Sequence, residues 1–142
     1  MTRIPVIANV LEYNTAVAAD IRGIVGPRVL TLNLISSPGA GKTTLIERTA
    51  AVLKGELRLA VIEGDLATTL DAGRVAAQGV PVVQINTNGG CHLEARQIMA
   101  ALPQLPLGEV DVLIIENVGN LVCPVEFDLG EDARVVVTSL TE

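Results

Sequence analysis

Short apolar runs alternate along this chain with longer amphipathic stretches. Residues 29–35 (VLTLNLI), 59–62 (LAVI), 82–85 (VVQI), 112–115 (VLII) and 134–138 (RVVVT) are brief, rich in β-branched side chains and almost continuously hydrophobic. That pattern predicts strands buried on both faces, as in a parallel sheet. The intervening segments show helical spacing instead. Residues 42–53 carry Leu45, Ala50 and Leu53, and residues 93–102 carry Ile98 and Leu102. Residues 71–78 form a shorter helix that stops before Gly79, and a helix over about 9–23 precedes the first strand. Strand and helix in this rhythm predict an α/β layered fold in a single domain spanning residues 1–142. The apolar run 134–138 is followed by only four residues, so no helix covers it, and the expectation is a fold cut short at its C-terminus.

Composition narrows the function classes. The 142 residues are 49% hydrophobic and 18% charged, which excludes disorder as the overall state. Ten basic against sixteen acidic residues leave a formal charge of -6, and Tyr13 and Phe127 are the only aromatic side chains. Nucleic-acid binding, which needs a basic face or stacking platforms, is therefore not expected. The longest uncharged stretch, residues 75–93, is broken by Gly79, Pro81, Asn86, Asn88, Gly89 and Gly90, so no membrane span is expected. No signal peptide is legible at the N-terminus, and two cysteines without one suggest reduced thiols in a cytoplasmic protein.

The strongest chemical signal is SSPGAGKT, residues 36–43, set between a predicted strand and a predicted helix. It follows the phosphate-binding pattern GxxxxGK(S/T), with Ser36 in place of the first glycine. Pro38, Gly39, Ala40 and Gly41 supply a backbone that can curl its N–H groups towards phosphate oxygens, and the following helix adds its positive end. Lys42 offers a compact charge to β- and γ-phosphates. The Thr43 hydroxyl suits a Mg²⁺ position, with Thr44 beside it. A bare Gly-Pro turn before a helix is the competing reading. Such a loop needs carboxylates at neighbouring strand ends for Mg²⁺ and for catalysis, and Asp65 and Glu116 stand there. Glu63 is an alternative to Asp65. Glu116 with Gly119 makes an ExxG pattern whose glycine N–H can sense a γ-phosphate. Asp71 equally well serves the first turn of its own helix.

His92 is the only histidine, and it adjoins Cys91; the other cysteine is Cys123. Thiolate and imidazole suit Zn²⁺ or Ni²⁺. Three ligands do not close a tetrahedral site, although two copies across a symmetric interface would. No CxxC or HxxxH spacing is present, so spacing alone favours two buried structural cysteines and a capping histidine.

Taken together, SSPGAGKTT, VIEGDLATTLDAGRV, INTNGGCHLEA and IENVGNLVCPVEFDLGE resemble the HypB family, the nickel-incorporation GTPases of nickel–iron hydrogenase maturation. The resemblance runs from about Val29 onward, and the helix bearing Asn14 and Arg22 is similar too. It implies a three-layer P-loop NTPase fold with a mostly parallel sheet, truncated at its C-terminus. It also implies a GTP-hydrolysing metallochaperone with GTP, Mg²⁺ and Ni²⁺ or Zn²⁺ as ligands. Lys42 and Thr43 would then bind phosphate and Mg²⁺, Asp65 would lie in a first switch, and Glu116 with Gly119 in a second. Cys91, His92 and Cys123 would be interfacial metal ligands of a homodimer promoted by nucleotide or metal. The implied partners are the hydrogenase large subunit and other maturation proteins. The chain reads NTNGGCHLEA where the family commonly has NTGxxCHLDA, and it lacks both an N-terminal CxxCGC-type site and an NKxD guanine motif. The alternative is a metal-binding or interaction module with weak or no NTPase activity. A urease-nickel GTPase and a small-molecule kinase fit these motifs less well.

Overall fold

The computed structural model describes residues 7–64 and 69–140. In chain order the elements are α1 (Ile7–Val25), β1 (Leu30–Ser36), α2 (Lys42–Leu53), β2 (Leu59–Glu63), α3 (Thr69–Ala76), β3 (Val82–Gln84), α4 (Ala95–Ala101), β4 (Val112–Glu116) and β5 (Ala133–Val137). The five strands form one sheet in the order β3-β2-β4-β1-β5, every neighbouring pair parallel. Each apolar run of the sequence has become a strand, to within a residue or two at its ends.

Helices cover both faces, because alternate side chains of each strand point to opposite sides. On one face Ala60, Ile62, Leu113 and Ile115 pack with Ala18 and Ile21 of α1 and with Ala95, Ile98 and Ala101 of α4. On the other, Leu34, Val61 and Ile114 pack against Ile46 of α2 and Val75 of α3. Burying a side chain such as Ile62 or Ile115 contributes about 1.5–3 kcal/mol, so these two clusters hold the three layers together.

The expectation of strands buried on both faces holds for β2 and largely for β1 and β4, and fails for β3 and β5. The side chains of β3 are all half-buried, and four of the five in β5 are exposed. The reason is position. Both are edge strands, and Val135 and Val136 of β5 have no described helix over them. Their hydrophobicity signals strand without signalling burial, since β-branched residues serve an edge as well as a centre.

No described helix is long and apolar enough to cross a membrane.

Candidate functional site

The loops after β1, β3 and β4, which carry residues 37–44, Cys91, His92, Gly119 and Cys123, follow the carboxyl ends of their strands, while Asn14 and Arg22 belong to α1. Asp65 lies outside the described residues. The loop after β1 is shaped by its glycines. Gly39 and Gly41 have φ of 76° and 101°, and Gly41 is the cap of α2 with no side chain bonded to the helix N-terminus. A helix start of this kind points its first N–H groups at the loop, the arrangement that suits an anion. Lys42 is buried, and its Nζ donates to Ser36 Oγ at 2.7 Å. The serine that departs from the glycine pattern therefore supplies an acceptor for the lysine as well as fitting the turn.

Glu116, the last residue of β4, is 1% exposed and accepts a 2.7 Å hydrogen bond from Thr43 Oγ1 on its Oε1. Its Oε2 is buried and accepts none from the described residues. A carboxylate oxygen held dry beside a threonine hydroxyl is the donor set that Mg²⁺ takes, hard oxygens that leave room for waters and phosphate. The two residues fit that ion. Glu63 is its register partner on β2 and is also fully buried, so two carboxyl-bearing strand ends meet on the α2 side of the sheet.

A cavity of about 240 Å³ opens over this cluster, lined by Gly39–Thr44, Asp71, Arg74 and Glu116. Arg74 was not foreseen from the sequence. Its Nη2 donates to Thr44 Oγ1 at 3.1 Å, and its guanidinium forks onto Glu47 with both distances 3.3 Å. The Glu47 hydrogen bond holds the Arg74 pKa above its ordinary value. Only its place one helical turn after Asp71 hinted at a role, through an i,i+3 ion pair of 3.8 Å. On the other side of the loop, Gly119 approaches so closely that an added Cβ would sit 3.0 Å from Pro38 Cα. The ExxG segment is thereby laid against the phosphate-type loop.

The second cluster lies on the α1 and α4 side. The ligand atoms of Cys91, His92 and Cys123 fall within 4.8 Å of one another, and Cys91 Sγ is 3.4 Å from His92 Nδ1. Neither thiol is in the core: Cys91 is exposed and Cys123 half-buried. His92 does not cap α4, a task done by Glu94 in a capping box with Gln97. The expected burial of both cysteines and the expected capping role of the histidine are thus not what the structure has. Cys91 and His92 occupy a non-helical turn, helped by Asn88 in the left-handed region at φ 52°. Asn120 Oδ1 accepts from the N–H groups of Val122 and Cys123 and so shapes the turn bearing Cys123. Hydrogen bonding to the neighbouring Cys91 pushes the Cys123 pKa up. Phe127 stacks on His92 at 3.9 Å between ring centroids, a contact invisible from a lone phenylalanine in the sequence.

Buried amides tie these parts together. Asn14 of α1 accepts from Ala95 N at 2.7 Å and donates to the Asp128 carbonyl, and Arg22 forks onto the Asp128 carboxylate at 2.8 and 2.9 Å.

Residues 30–139 match the family described as CobW/HypB/UreG, nucleotide-binding domain. The chain belongs to that family. Among curated relatives, the hydrogenase maturation factor HypB of Escherichia coli strain K12 is 52% identical over 135 residues, covering 94% of this chain and 47% of the relative. The probable hydrogenase maturation factor HypB of Methanocaldococcus jannaschii is 42% identical, covering 94% and 61%. The crystal structure of HypB from Archaeoglobus fulgidus superposes with a TM-score of 0.80 at 37% identity, over 92% of this chain and 64% of that one. HypB from Helicobacter pylori, solved in complex with nickel, gives 0.79 at 43% identity, over 87% and 59%. The chain spans about half the length of the Escherichia coli relative it matches. The five-strand parallel sheet of this CobW/HypB/UreG domain is accordingly the P-loop α/β fold that the resemblance implied.

Proposed function

We propose that this chain is the nucleotide- and metal-binding part of a GTP-hydrolysing nickel metallochaperone that serves hydrogenase maturation. The observation that carries the reading is the coexistence, at one end of one sheet, of the Lys42–Thr43–Glu116 cluster and the Cys91–His92–Cys123 cluster. Its kinship with HypB proteins, one of them solved with nickel, supports the choice of cargo.

On this reading the loop N–H groups of residues 39–44 cradle the phosphates, and Lys42 trades its bond to Ser36 for the β- and γ-phosphate oxygens. Thr43 and Glu116, with Asp65, hold Mg²⁺, which supplies charge neutralisation for phosphoryl transfer to water. Gly119 N–H reports the γ-phosphate, because the ExxG segment already rests on Pro38. Two soft thiolates and one imidazole take Ni²⁺ as cargo, or Zn²⁺, and leave the coordination shell incomplete. Leu121, Val122 and Val125 are exposed around Cys123, with Val122 77% accessible. A second copy covering that apolar face would bring two ligand sets together, so a homodimer promoted by metal or nucleotide is part of the proposal. The hydrogenase large subunit and its other maturation proteins are the partners, Cys91 and Cys123 remain reduced, and the compartment is the cytoplasm.

Calorimetric titration of the chain with GTP and, separately, ATP, each with Mg²⁺, tests this. Binding of GTP in preference to ATP is the expected result. Equal binding of both leaves a phosphate grip without base choice. Binding of neither overturns the GTPase reading and leaves a metal-binding or interaction module.

A further inference from the structure

Glu116 and Asn117 are consecutive, yet they serve opposite sides of the sheet. Glu116 points to the α2 face and bonds Thr43, while the side chain of Asn117, fully buried, turns to the α1 and α4 face. This follows from the two-residue period of a strand, which the chain still keeps at this point: Asn117 N donates to the Leu34 carbonyl at 3.0 Å. Every polar group of the Asn117 side chain is engaged. Its Oδ1 accepts from Leu93 N at 3.2 Å and from Val118 N at 2.8 Å, and its Nδ2 donates to Asn33 Oδ1 at 3.1 Å. Asn33 is fixed in turn by donating to Glu131 Oε2 at 2.8 Å.

Leu93 directly follows His92. Its amide is held by Asn117, and its side chain, fully buried, is packed so tightly over Gly64 that a Cβ there would lie 2.4 Å from Leu93 Cδ1. Gly64 N also donates to the Glu116 carbonyl at 2.8 Å. Cys123 is joined to the same point through the chain itself, seven residues after Glu116. The Cys91–His92 arm of the thiol–imidazole cluster is therefore anchored, through Leu93, to the residue beside the carboxylate of the phosphate-type cluster, and the Cys123 arm continues along the chain from that same residue.

We infer that Asn117 is the positioning residue that couples occupancy of the nucleotide cluster to the geometry of the metal cluster, by holding the Leu93 amide in register with Glu116. The inference rests on the nickel-delivery reading above. A shift of Glu116 towards a newly bound ligand rotates the strand end, and the Asn117 amide moves oppositely on the other face. Leu93 follows, because its N–H is buried and has this acceptor. Cys91 and His92 are then re-aimed relative to Cys123.

Two measurements on the chain test this. In the metal-free protein, amide resonances are followed while a non-hydrolysable GTP analogue is added with Mg²⁺. Shifts at Gly41 and Lys42 together with a shift at Leu93 are expected. Shifts at the loop with Leu93 unmoved overturn the inference and leave the nucleotide reading intact, whereas no shift at the loop overturns both. Zn²⁺ affinity is then measured by competition with a chromophoric chelator, with and without the analogue. The two affinities should differ by about tenfold in the parent and by less than about twofold in Asn117→Ala, a ratio that a merely stabilising residue would leave unchanged. A parent ratio of one, or a parent ratio retained in Asn117→Ala, overturns it.

Discussion

Replacing Lys42 by alanine should separate the two clusters. Lys42 is 4% exposed and its ammonium donates to Ser36 Oγ at 2.7 Å, so its position is set before any phosphate arrives. A unit charge about 4 Å from a phosphate charge contributes about 4 kcal/mol at the effective dielectric of a partly buried site. At about 1.4 kcal/mol per decade, its loss should weaken GTP binding by roughly a thousandfold. The cost to folding is far smaller. The hydrogen bond to Ser36 is worth about 1 kcal/mol net, and a buried charge disappears with it. A melting temperature within about 5 °C of the parent is expected for a chain of this size. The clusters face opposite sides of the sheet, so Zn²⁺ affinity in the absence of nucleotide should not change. Calorimetry with GTP and Mg²⁺, chelator competition with Zn²⁺ and a thermal melt supply the three numbers. GTP affinity within about threefold of the parent would refute the assignment of Lys42, because no reasonable dielectric makes a phosphate-bound ammonium contribute so little.

Cys91→Ala should remove high-affinity Zn²⁺ or Ni²⁺ binding, read as a loss of stoichiometry by equilibrium dialysis; an unaltered stoichiometry and affinity would return these cysteines to a structural role. Arg74→Ala should weaken GTP binding by about tenfold, the value of one charge-assisted bond, and leave the melting temperature close to the parent's because its pair with Glu47 is exposed. Burial pushes the Glu131 pKa above its ordinary value. The folded chain then binds more protons than the unfolded one as pH rises from the unfolded to the folded pKa, so this residue lowers stability with rising pH across that window. Glu131→Gln, which keeps an acceptor for Asn33, should raise the melting temperature at neutral pH and flatten that slope.

The parts legible in the sequence are those whose physics is local. A phosphate-type loop is a run of eight residues in which Gly41, Lys42 and Thr43 each have a chemical reason to be adjacent, and apolar period distinguishes β2 from α2 without knowledge of neighbours. The edge positions of β3 and β5 are not local. Strand order decides them, and VVQI reads the same at an edge as at a centre. The thiol–imidazole cluster is an intermediate case. Spacing pointed away from it, since Cys91 and Cys123 are 32 residues apart and only the packing of two loops beside β4 brings them within 4.8 Å. Family resemblance supplied what spacing could not. Asn14 was visible only through the resemblance, and Asn117 was opaque as a single residue, because an asparagine buried against a distant backbone amide leaves no periodic signature; Arg74 was hidden among the charges of its helix. Asn117 could have been suspected from one fact, that it directly follows a strand-end acid and must therefore face the other layer.

The same arrangement bounds how strongly nucleotide can influence metal. A ligand shifts an equilibrium only by its differential affinity for the two states, and the contact that transmits the shift cannot carry more than it is worth. The Leu93–Asn117 bond is a neutral hydrogen bond of 3.2 Å, worth about 0.5–1.5 kcal/mol net. One such joint supports a change of about two- to tenfold in metal affinity within a single copy, too little to switch a carrier between holding and releasing its cargo. A larger change requires a second joint acting in the same direction. In this chain the segment from Gly119 to Cys123 is that candidate, because it passes directly from Pro38 to the second thiol and carries the exposed Leu121 and Val122 along. If a second copy covers those side chains, two joints per copy act on one shared site and their effects multiply. The dependence of the nucleotide effect on protein concentration separates the cases. A Zn²⁺ affinity ratio that stays below about tenfold when the chain is dilute and grows when it is concentrated places the larger part of the switch at the interface, and a ratio independent of concentration places all of it within one copy.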